Sequence, residues 1–263
     1  MTLDDYRLWL LGQGQSAKTI RDRTCLAARV LLLWGTWVVP GHVVAEFLAG
    51  YTGWSRKTYQ NHLRSLYAWL SEIGAVDENP MTRIRRAPQP RAKPSPLTPD
   101  ELDLAIESAT PTVRAWLLLG AYAGLRCHEI AKIRGEHVTR TSISVLGKGG
   151  VQASIPTHPL LWELAETYPR RDYWFPSPFQ RREYVSASMI GNTVRRHFRE
   201  IGIETGSIHR TRHYFGTSLL RQGVNLRVVQ ELMRHADLAT TANYLGVDED
   251  EKTSAIHLLG GAA

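Results

Sequence analysis

The proline-rich stretch at residues 79–99 constrains the possible folds most strongly. It reads NPMTRIRRAPQPRAKPSPLTP and holds six prolines among several basic residues. Proline interrupts helices and central strands, and the stretch has hardly any apolar periodicity. We therefore predict an extended basic linker at residues 83–97, between a first domain at residues 1–82 and a second domain at residues 98–263.

The residues before the linker have the periodicity of amphipathic helices. Apolar residues recur at intervals of three and four in residues 16–34 and 55–73. Shorter segments of the same kind lie at residues 3–11 and 42–48. Four helices with short connections predict a small all-α domain, in which Ser16 and Ser55 cap the two longer helices.

The excess of positive charge lies in this first part. The chain has a net charge of +7 and a pI of about 9.6. Residues 1–95 hold 13 lysines and arginines against 7 acids, whereas residues 96–263 hold 19 against 18. A basic domain with aromatic residues suggests a polyanionic partner, and a solvated basic surface is the alternative.

Several residues of the first part are candidates for DNA contacts. Lysine and threonine follow the serine near the start of each long helix, where free N–H groups attract phosphate, although ordinary capping explains them equally. The exposed face of the second long helix carries side chains that can read base edges. The linker arginines either cross a phosphate backbone or form a solvated tether. The candidates are Lys18, Thr19, Arg56, Lys57, Gln60, Asn61, Arg64, Arg85 and Arg86.

The second part is predicted to be mainly helical with one hairpin. Two β-prone runs at residues 142–146 and 151–155 flank a glycine-rich turn, GKGG. A short strand is predicted at residues 173–175. Helices are predicted at residues 100–108, 113–122, 125–133, 156–167, 186–201 and 226–233, and a further helix is predicted to begin near His209.

A group of polar residues in this part has a spacing that packing alone does not explain. Arg126 is expected in the first turn of a helix, an end that disfavours a cation unless an anion binds there. Glu129 is placed to hold its guanidinium, although a simple surface pair is the alternative. Lys148 lies at the hairpin tip, either reaching a neighbouring groove or simply solvated. The other members are His209, Arg212, His213, His235 and Tyr244.

Neither a metal site nor a membrane segment is expected. No cysteine lies near the histidines, and their arginine neighbours would repel a cation. Cys25 and Cys127 fit no metal or redox spacing. The N-terminus has no secretory pattern, and the longest apolar run is far too short to cross a bilayer. We therefore expect a soluble intracellular protein with reduced thiols.

The order of the motifs resembles the tyrosine recombinases of the phage-integrase superfamily. AGLRCHEI, GKGG, HRTRH and RHADLATTANY follow one another as in that family, and the likeness covers nearly the whole chain. The resemblance implies a mainly α, α+β fold. It consists of a four-helix core-binding domain and a larger helical catalytic domain with a small antiparallel sheet. The core-binding pattern begins almost at Met1, so no arm-type DNA-binding domain is expected.

The resemblance also implies catalytic roles. Tyr244 is the nucleophile, and Arg126 and Arg212 hold the scissile phosphate. Lys148 is the general acid for the departing 5′ oxygen, and His209 acts as acid or base near the tyrosine. These residue types suit the chemistry, because guanidiniums stabilise the charge that builds on phosphate oxygens during attack.

Four further residues complete this assignment. By resemblance, His235 supports the phosphate, Glu129 buttresses Arg126, and His213 is structural. The residue before His235 is usually glycine in the family and is Arg234 here. This arginine would either add a phosphate contact or shift the local turn.

The function that the resemblance implies is site-specific recombination of double-stranded DNA. Four protomers would join two attachment sites and exchange strands through a 3′-phosphotyrosyl intermediate and a Holliday junction, without a cofactor. Integration or excision of a phage or mobile element is favoured over Xer-type chromosome-dimer resolution, and a type IB topoisomerase is a further alternative. A DNA-bending or directionality factor is a possible partner. The expected location is the bacterial cytoplasm, at the nucleoid.

Overall fold

The computed structural model of the protein describes residues 2–88, 96–146, 152–179 and 182–234. The chain forms two compact units, Met1–Ala92 and Lys93–Ala263. Within the described ranges, no helix has the length and apolar character needed to cross a membrane.

Four helices form the first unit, as predicted. They are α1 (Leu3–Gly12), α2 (Ala17–Trp34), α3 (Gly41–Ala49) and α4 (Gly53–Glu72). The Ser16 hydroxyl caps α2 by accepting a hydrogen bond from the backbone N–H of Thr19. Each helix buries one apolar face in a common core, which includes Tyr6, Leu10, Ala27, Val30, Val44, Leu48, Leu63, Tyr67 and Leu70.

The predicted cap at Ser55 is wrong. Helix α4 begins at Gly53 after Thr52, and the backbone N–H of Arg56 donates to the Thr52 carbonyl at 3.3 Å. Ser55 therefore lies inside the first turn and cannot be the N-cap residue. Only α2 has the serine cap that was predicted for both long helices.

The second unit is mainly helical and contains one two-stranded antiparallel sheet. Strand β1 (Ser142–Leu146) pairs with strand β2 (Gln152–Pro156) so that Ile143 lies opposite Ile155. The described elements of the second unit are α5 (Pro99–Glu107), α6 (Pro111–Ala123), α7 (Cys127–Ile130), a 3₁₀ turn (Gly135–His137), β1 (Ser142–Leu146), β2 (Gln152–Pro156), α8 (Pro159–Glu166), α9 (Ala187–Glu200), α10 (Ile208–Arg221) and α11 (Leu226–Met233). Together the two units confirm the predicted fold class.

Two predicted elements of the second unit are wrong in extent. The helix predicted at residues 125–133 is the single turn α7, because Arg126 has an extended backbone conformation (φ −81°, ψ 155°) and acts as the N-cap residue. The strand predicted at residues 173–175 is an isolated bridge between Tyr173 and Arg134. Trp174 and Phe175 are both buried in the core, so the segment lacks the alternation of a half-exposed strand.

Helices α6 and α10 approach closely at a glycine. A β-carbon at Gly120 would lie 2.0 Å from the hydroxyl oxygen of Thr211. Thr211 is fully buried, and its hydroxyl donates to the Ile208 carbonyl at 2.7 Å. The missing side chain at Gly120 therefore lets α10 lie directly against α6, which fixes the position of the next residue, Arg212.

A Gly120→Ala variant is expected to be destabilised. Overpacking of this kind costs about 1–3 kcal/mol, against a helix-propensity gain of at most about 1 kcal/mol. Gly191→Ala is the matched control, because Gly191 lies in α9 with open space around it. Denaturant unfolding compares the two variants. A Gly120→Ala protein as stable as Gly191→Ala would contradict the close helix contact.

Candidate active site

Arg212 connects three helices through hydrogen bonds. It lies on α10 and is 1 % exposed. Its guanidinium donates hydrogen bonds to the backbone carbonyls of Gly124 and Met233. Gly124 ends α6 in the left-handed conformation, and Met233 is the last residue of α11. The buried positive charge is thus held where the ends of α6 and α11 meet α10.

Arg126 and Glu129 make the contact that their spacing predicted. The Arg126 Nη1 atom donates to Glu129 Oε1 at 3.0 Å, and the Arg126 backbone N–H donates to Oε2 at 2.8 Å. The Glu129 side chain is 0 % exposed, whereas 31 % of the Arg126 side chain is exposed. The carboxylate therefore anchors the arginine from the protein side, while nearly a third of the arginine side chain stays exposed.

The Arg234 side chain is directed into the protein. Its side chain is 11 % exposed and donates through Nη2 to Glu129 Oε2 at 2.7 Å. The same guanidinium donates to the carbonyls of Gly124 at 3.2 Å and Leu232 at 3.0 Å. A guanidinium bonded within the protein in this way is a poor candidate for a direct phosphate contact, which corrects the first of the two roles expected for Arg234.

Glu129 is ionised although it is buried. Burial alone would raise the pKa of its carboxyl group. The charge of Arg234, the backbone N–H of Arg126 and the charges of Arg126 and Arg212 outweigh burial and lower that pKa below its ordinary value. The site thus holds one buried carboxylate among three guanidiniums.

His209 and His213 are both neutral at neutral pH. His209 lies at the surface, but neighbouring atoms still exclude water from its ring, and this desolvation lowers its pKa. The charges of Arg212 and Arg126 lower that pKa further. Burial, followed by the charges of His209 and Arg212, lowers the pKa of His213 to about 4. The two rings meet edge to face at 4.9 Å. A neutral imidazole at position 209 can accept a proton.

The structure brings together five of the candidate catalytic and supporting residues, and His213 is the fifth, in ring contact with His209. Arg126, Glu129, His209 and Arg212 gather where α7 and α10 meet the end of α11. The other three catalytic candidates, Lys148, His235 and Tyr244, lie outside the described residues.

Gln60 and Arg64 are not placed to read bases, which corrects their assignment. Gln60 is 3 % exposed; its amide donates to the Arg85 carbonyl at 2.7 Å and accepts from the Ala87 backbone N–H. Arg64 donates to the Ile84 carbonyl. These two side chains hold the backbone of the following segment. The burial of Gln60 could have been predicted from the sequence, because Gln60 lies three residues before the apolar Leu63 and therefore on the same face of α4.

The other candidate DNA contacts remain at the surface. Three arginines, Arg56, Arg85 and Arg86, line a cleft of about 770 Å³ in the first unit, beside Tyr51. This cleft is open and positively charged. The Lys57 ammonium lies 5.2 Å from the centre of the Trp54 ring.

Two candidates near the start of α2 have partners within the protein. Lys18 is exposed and pairs with Asp22 at 2.5 Å. The hydroxyls of Thr19 and Ser16 lie 2.9 Å apart. Asn61 is exposed on α4. Surface ion pairs of this kind are weak, so Lys18 remains able to exchange Asp22 for a phosphate.

The described residues contain no cluster of metal ligands. Among them, no three His, Cys, Asp or Glu side chains are grouped closely enough to hold a metal ion. Cys25 and Cys127 are free thiols, and burial raises the pKa of Cys127.

A family model and protein relatives match the chain. Residues 96–251 match the model described as the phage integrase family. A tyrosine recombinase from Pseudothermotoga lettingae is 34 % identical over 209 residues, which cover 75 % of this chain and 72 % of that protein. The tyrosine recombinase XerA from Thermococcus kodakarensis is 29 % identical over 259 residues, covering 93 % and 90 %.

Solved structures agree with these matches. An integrase from mycobacterium phage Brujita is 33 % identical, with a TM-score of 0.53 and coverage of 97 % of this chain and 90 % of that chain. A lambda integrase fragment, solved as a dimer bound to a COC′ core site, has a TM-score of 0.75 at 19 % identity and coverage of 94 % and 95 %. The second likeness concerns the fold alone.

Proposed function

This chain belongs to the phage integrase family of tyrosine recombinases, and we propose that Tyr244 is the nucleophile with which it exchanges strands between specific DNA sites. The enzyme cleaves and rejoins DNA strands. The observation that carries the proposed mechanism is the pairing of Arg126 with the buried Glu129 beside the buried Arg212. This arrangement keeps positive charge at a partly open site, where a phosphodiester can be held.

The proposed reaction is a transesterification. The Tyr244 oxygen attacks the scissile phosphorus, the bond to the 5′ oxygen breaks, and the phosphate stays on the tyrosine as a 3′-phosphotyrosyl ester. Arg126 and Arg212 stabilise the charge that builds on the non-bridging oxygens. Because one phosphate ester replaces another, rejoining requires no external energy source.

Proton transfers accompany the two ends of this reaction. A tyrosine hydroxyl has an ordinary pKa of about 10 and needs help to attack at neutral pH. Neutral His209 accepts that proton, and Lys148 gives a proton to the departing 5′ oxygen. His235 supports the phosphate by hydrogen bonding, and His213 supports His209 through its ring.

The first unit is proposed to bind DNA beside the cleavage site. Residues 1–82 form the core-binding domain, residues 83–97 the linker and residues 98–263 the catalytic domain. The open, positive cleft supports this role, because phosphate contacts supply much of the affinity for DNA. The revised set of contacts is Lys18, Thr19, Arg56, Lys57, Asn61, Arg85 and Arg86.

The proposed assembly is a homotetramer that joins two attachment sites at the nucleoid in the bacterial cytoplasm, with a DNA-bending or directionality factor as an additional partner. Integration or excision of a phage or mobile element is the preferred role, supported by the 33 % identity to the Brujita integrase. A Xer-type role is the second candidate, supported by the likeness to XerA of Thermococcus kodakarensis.

A suicide-substrate assay tests the proposed function. Full-length protein is mixed with nicked duplexes from the DNA that flanks its gene, so that the cleaved end diffuses away and the covalent complex accumulates. We expect a protein–DNA adduct on one defined sequence, and exchange between two copies of it. Absence of adduct on every flanking duplex contradicts the proposal, and equal adduct on unrelated DNA indicates a type IB topoisomerase.

A further inference from the structure

We propose that Arg234 is a positioning residue, which acts through Glu129 to keep one edge of the Arg126 guanidinium available to the scissile phosphate. The inference rests on the proposed function. Arg234 stands immediately before His235, where the family resemblance led us to expect glycine.

The two carboxylate oxygens of Glu129 accept hydrogen bonds from two arginines. Oε1 accepts from Arg126 Nη1 at 3.0 Å, while Oε2 accepts from Arg234 Nη2 at 2.7 Å and from the Arg126 backbone N–H at 2.8 Å. An arginine and a carboxylate often form two parallel hydrogen bonds. Arg234 occupies the oxygen that the second of these bonds would need, so Arg126 cannot close fully onto Glu129.

The second nitrogen of Arg126 is consequently held weakly. Its Nη2 atom donates to the Arg234 carbonyl at 3.4 Å, beyond the usual range for an N–H···O bond. A phosphate oxygen is a charged acceptor and forms a shorter, stronger bond. The Arg126 side chain is 31 % exposed, so it is not sealed within the protein, and such an exchange requires a phosphate to replace only the long contact of Nη2.

Arg234 also changes the charge of the site. Without it, Arg126 and Glu129 form a neutral pair. With it, two guanidiniums share one carboxylate, and the group carries one net positive charge. The Arg234 side chain is 11 % exposed, so its charge acts on the phosphate through the protein and not by direct contact.

The backbone of Arg234 supplies a way to test this role. It ends α11 in the left-handed region (φ 54°, ψ 46°), where glycine is favoured and other residues are strained. If the residue served only to end the helix, glycine would serve better. The bonds from its guanidinium to Glu129, Gly124 and Leu232 are what an arginine adds at this position.

The test compares Arg234→Gly, Arg234→Met and Arg234→Lys in the full-length protein on a nicked site. Single-turnover cleavage should fall roughly 10- to 100-fold in the glycine and methionine variants, as for loss of a hydrogen bond between charged groups. Affinity for uncleaved DNA should fall much less than the cleavage rate, because the other phosphate contacts remain. Lysine keeps the positive charge and a donor nitrogen but lacks the planar guanidinium, so Arg234→Lys should recover part of the rate. Arg227→Met, at an exposed arginine of α11, is the control.

Two kinetic results would overturn the proposal. Cleavage by Arg234→Gly at the wild-type rate means that the arginine only ends the helix. A loss of DNA affinity that matches the loss of rate, with a salt dependence reduced by about one phosphate contact, means that Arg234 touches DNA directly.

A structural readout separates this inference from the proposed function. In a crystal structure of Arg234→Gly, the Arg126 guanidinium should close onto both oxygens of Glu129, whether or not the protein cleaves any DNA. Unchanged Arg126 geometry in that variant overturns the inference. Failure of the wild-type protein to form an adduct counts against the proposed function alone.

Discussion

A Tyr244→Phe variant is expected to bind its DNA site with unchanged affinity and to form no covalent adduct. Phenylalanine keeps the ring and removes the oxygen that attacks phosphorus. Loss of a nucleophile in other enzymes lowers rates by about 10⁴-fold or more, which places the adduct below detection. Labelled suicide substrates on a denaturing gel measure the adduct, and a mobility shift measures binding.

Tyr214→Phe is the matched control for this experiment, because Tyr214 lies on α10 close to the site in sequence. That variant should form the adduct normally. An adduct in Tyr244→Phe, together with its loss in Tyr214→Phe, would reverse the assignment of the nucleophile.

A Glu129→Gln variant is expected to be strongly destabilised. The carboxylate is 0 % exposed and pairs with Arg126 and Arg234. Glutamine has nearly the same shape but no charge, so the 11 % exposed Arg234 side chain loses its counter-ion. Removing one partner from a buried ion pair costs about 3–5 kcal/mol. Denaturant unfolding of the full-length protein measures this loss.

Glu231→Gln provides the comparison, because Glu231 pairs with Arg227 on the surface of α11 with both side chains 68 % exposed. Exposed pairs of this spacing contribute about 0.3–0.5 kcal/mol. If the two variants lose similar stability, the Glu129 carboxylate is not a buried counter-ion for the arginines.

Local sequence patterns were enough to predict most of the elements. Helix α11 has the bounds that its periodicity predicted, as does strand β1, because each buries one face in a regular rhythm. The pattern overestimated α7, since apolar residues on both sides of Arg126 continue the helical rhythm while Gly124 and the extended Arg126 interrupt the backbone. Periodicity reports burial and does not report backbone conformation.

The site was predictable where its contacts are local. Arg126 and Glu129 are three residues apart, so their pairing followed from spacing. The contact between Glu129 and Arg234 spans 105 positions and depends on an arginine in the left-handed conformation. No propensity anticipates that geometry. Gln60 was misassigned for a related reason, because its partners are backbone atoms of Arg85 and Ala87, whose position depends on the folded chain.

Main-chain oxygens orient much of this site, which affects how mutational data should be understood. Arg212 donates to the carbonyls of Gly124 and Met233, and Arg234 donates to the carbonyls of Gly124 and Leu232. Alanine scanning removes side chains and leaves every one of these acceptors in place. Such a scan would detect the loss of the arginine donors but could not remove the carbonyl acceptors. The contribution of these three peptide groups therefore has to be tested by substitutions that change the backbone itself.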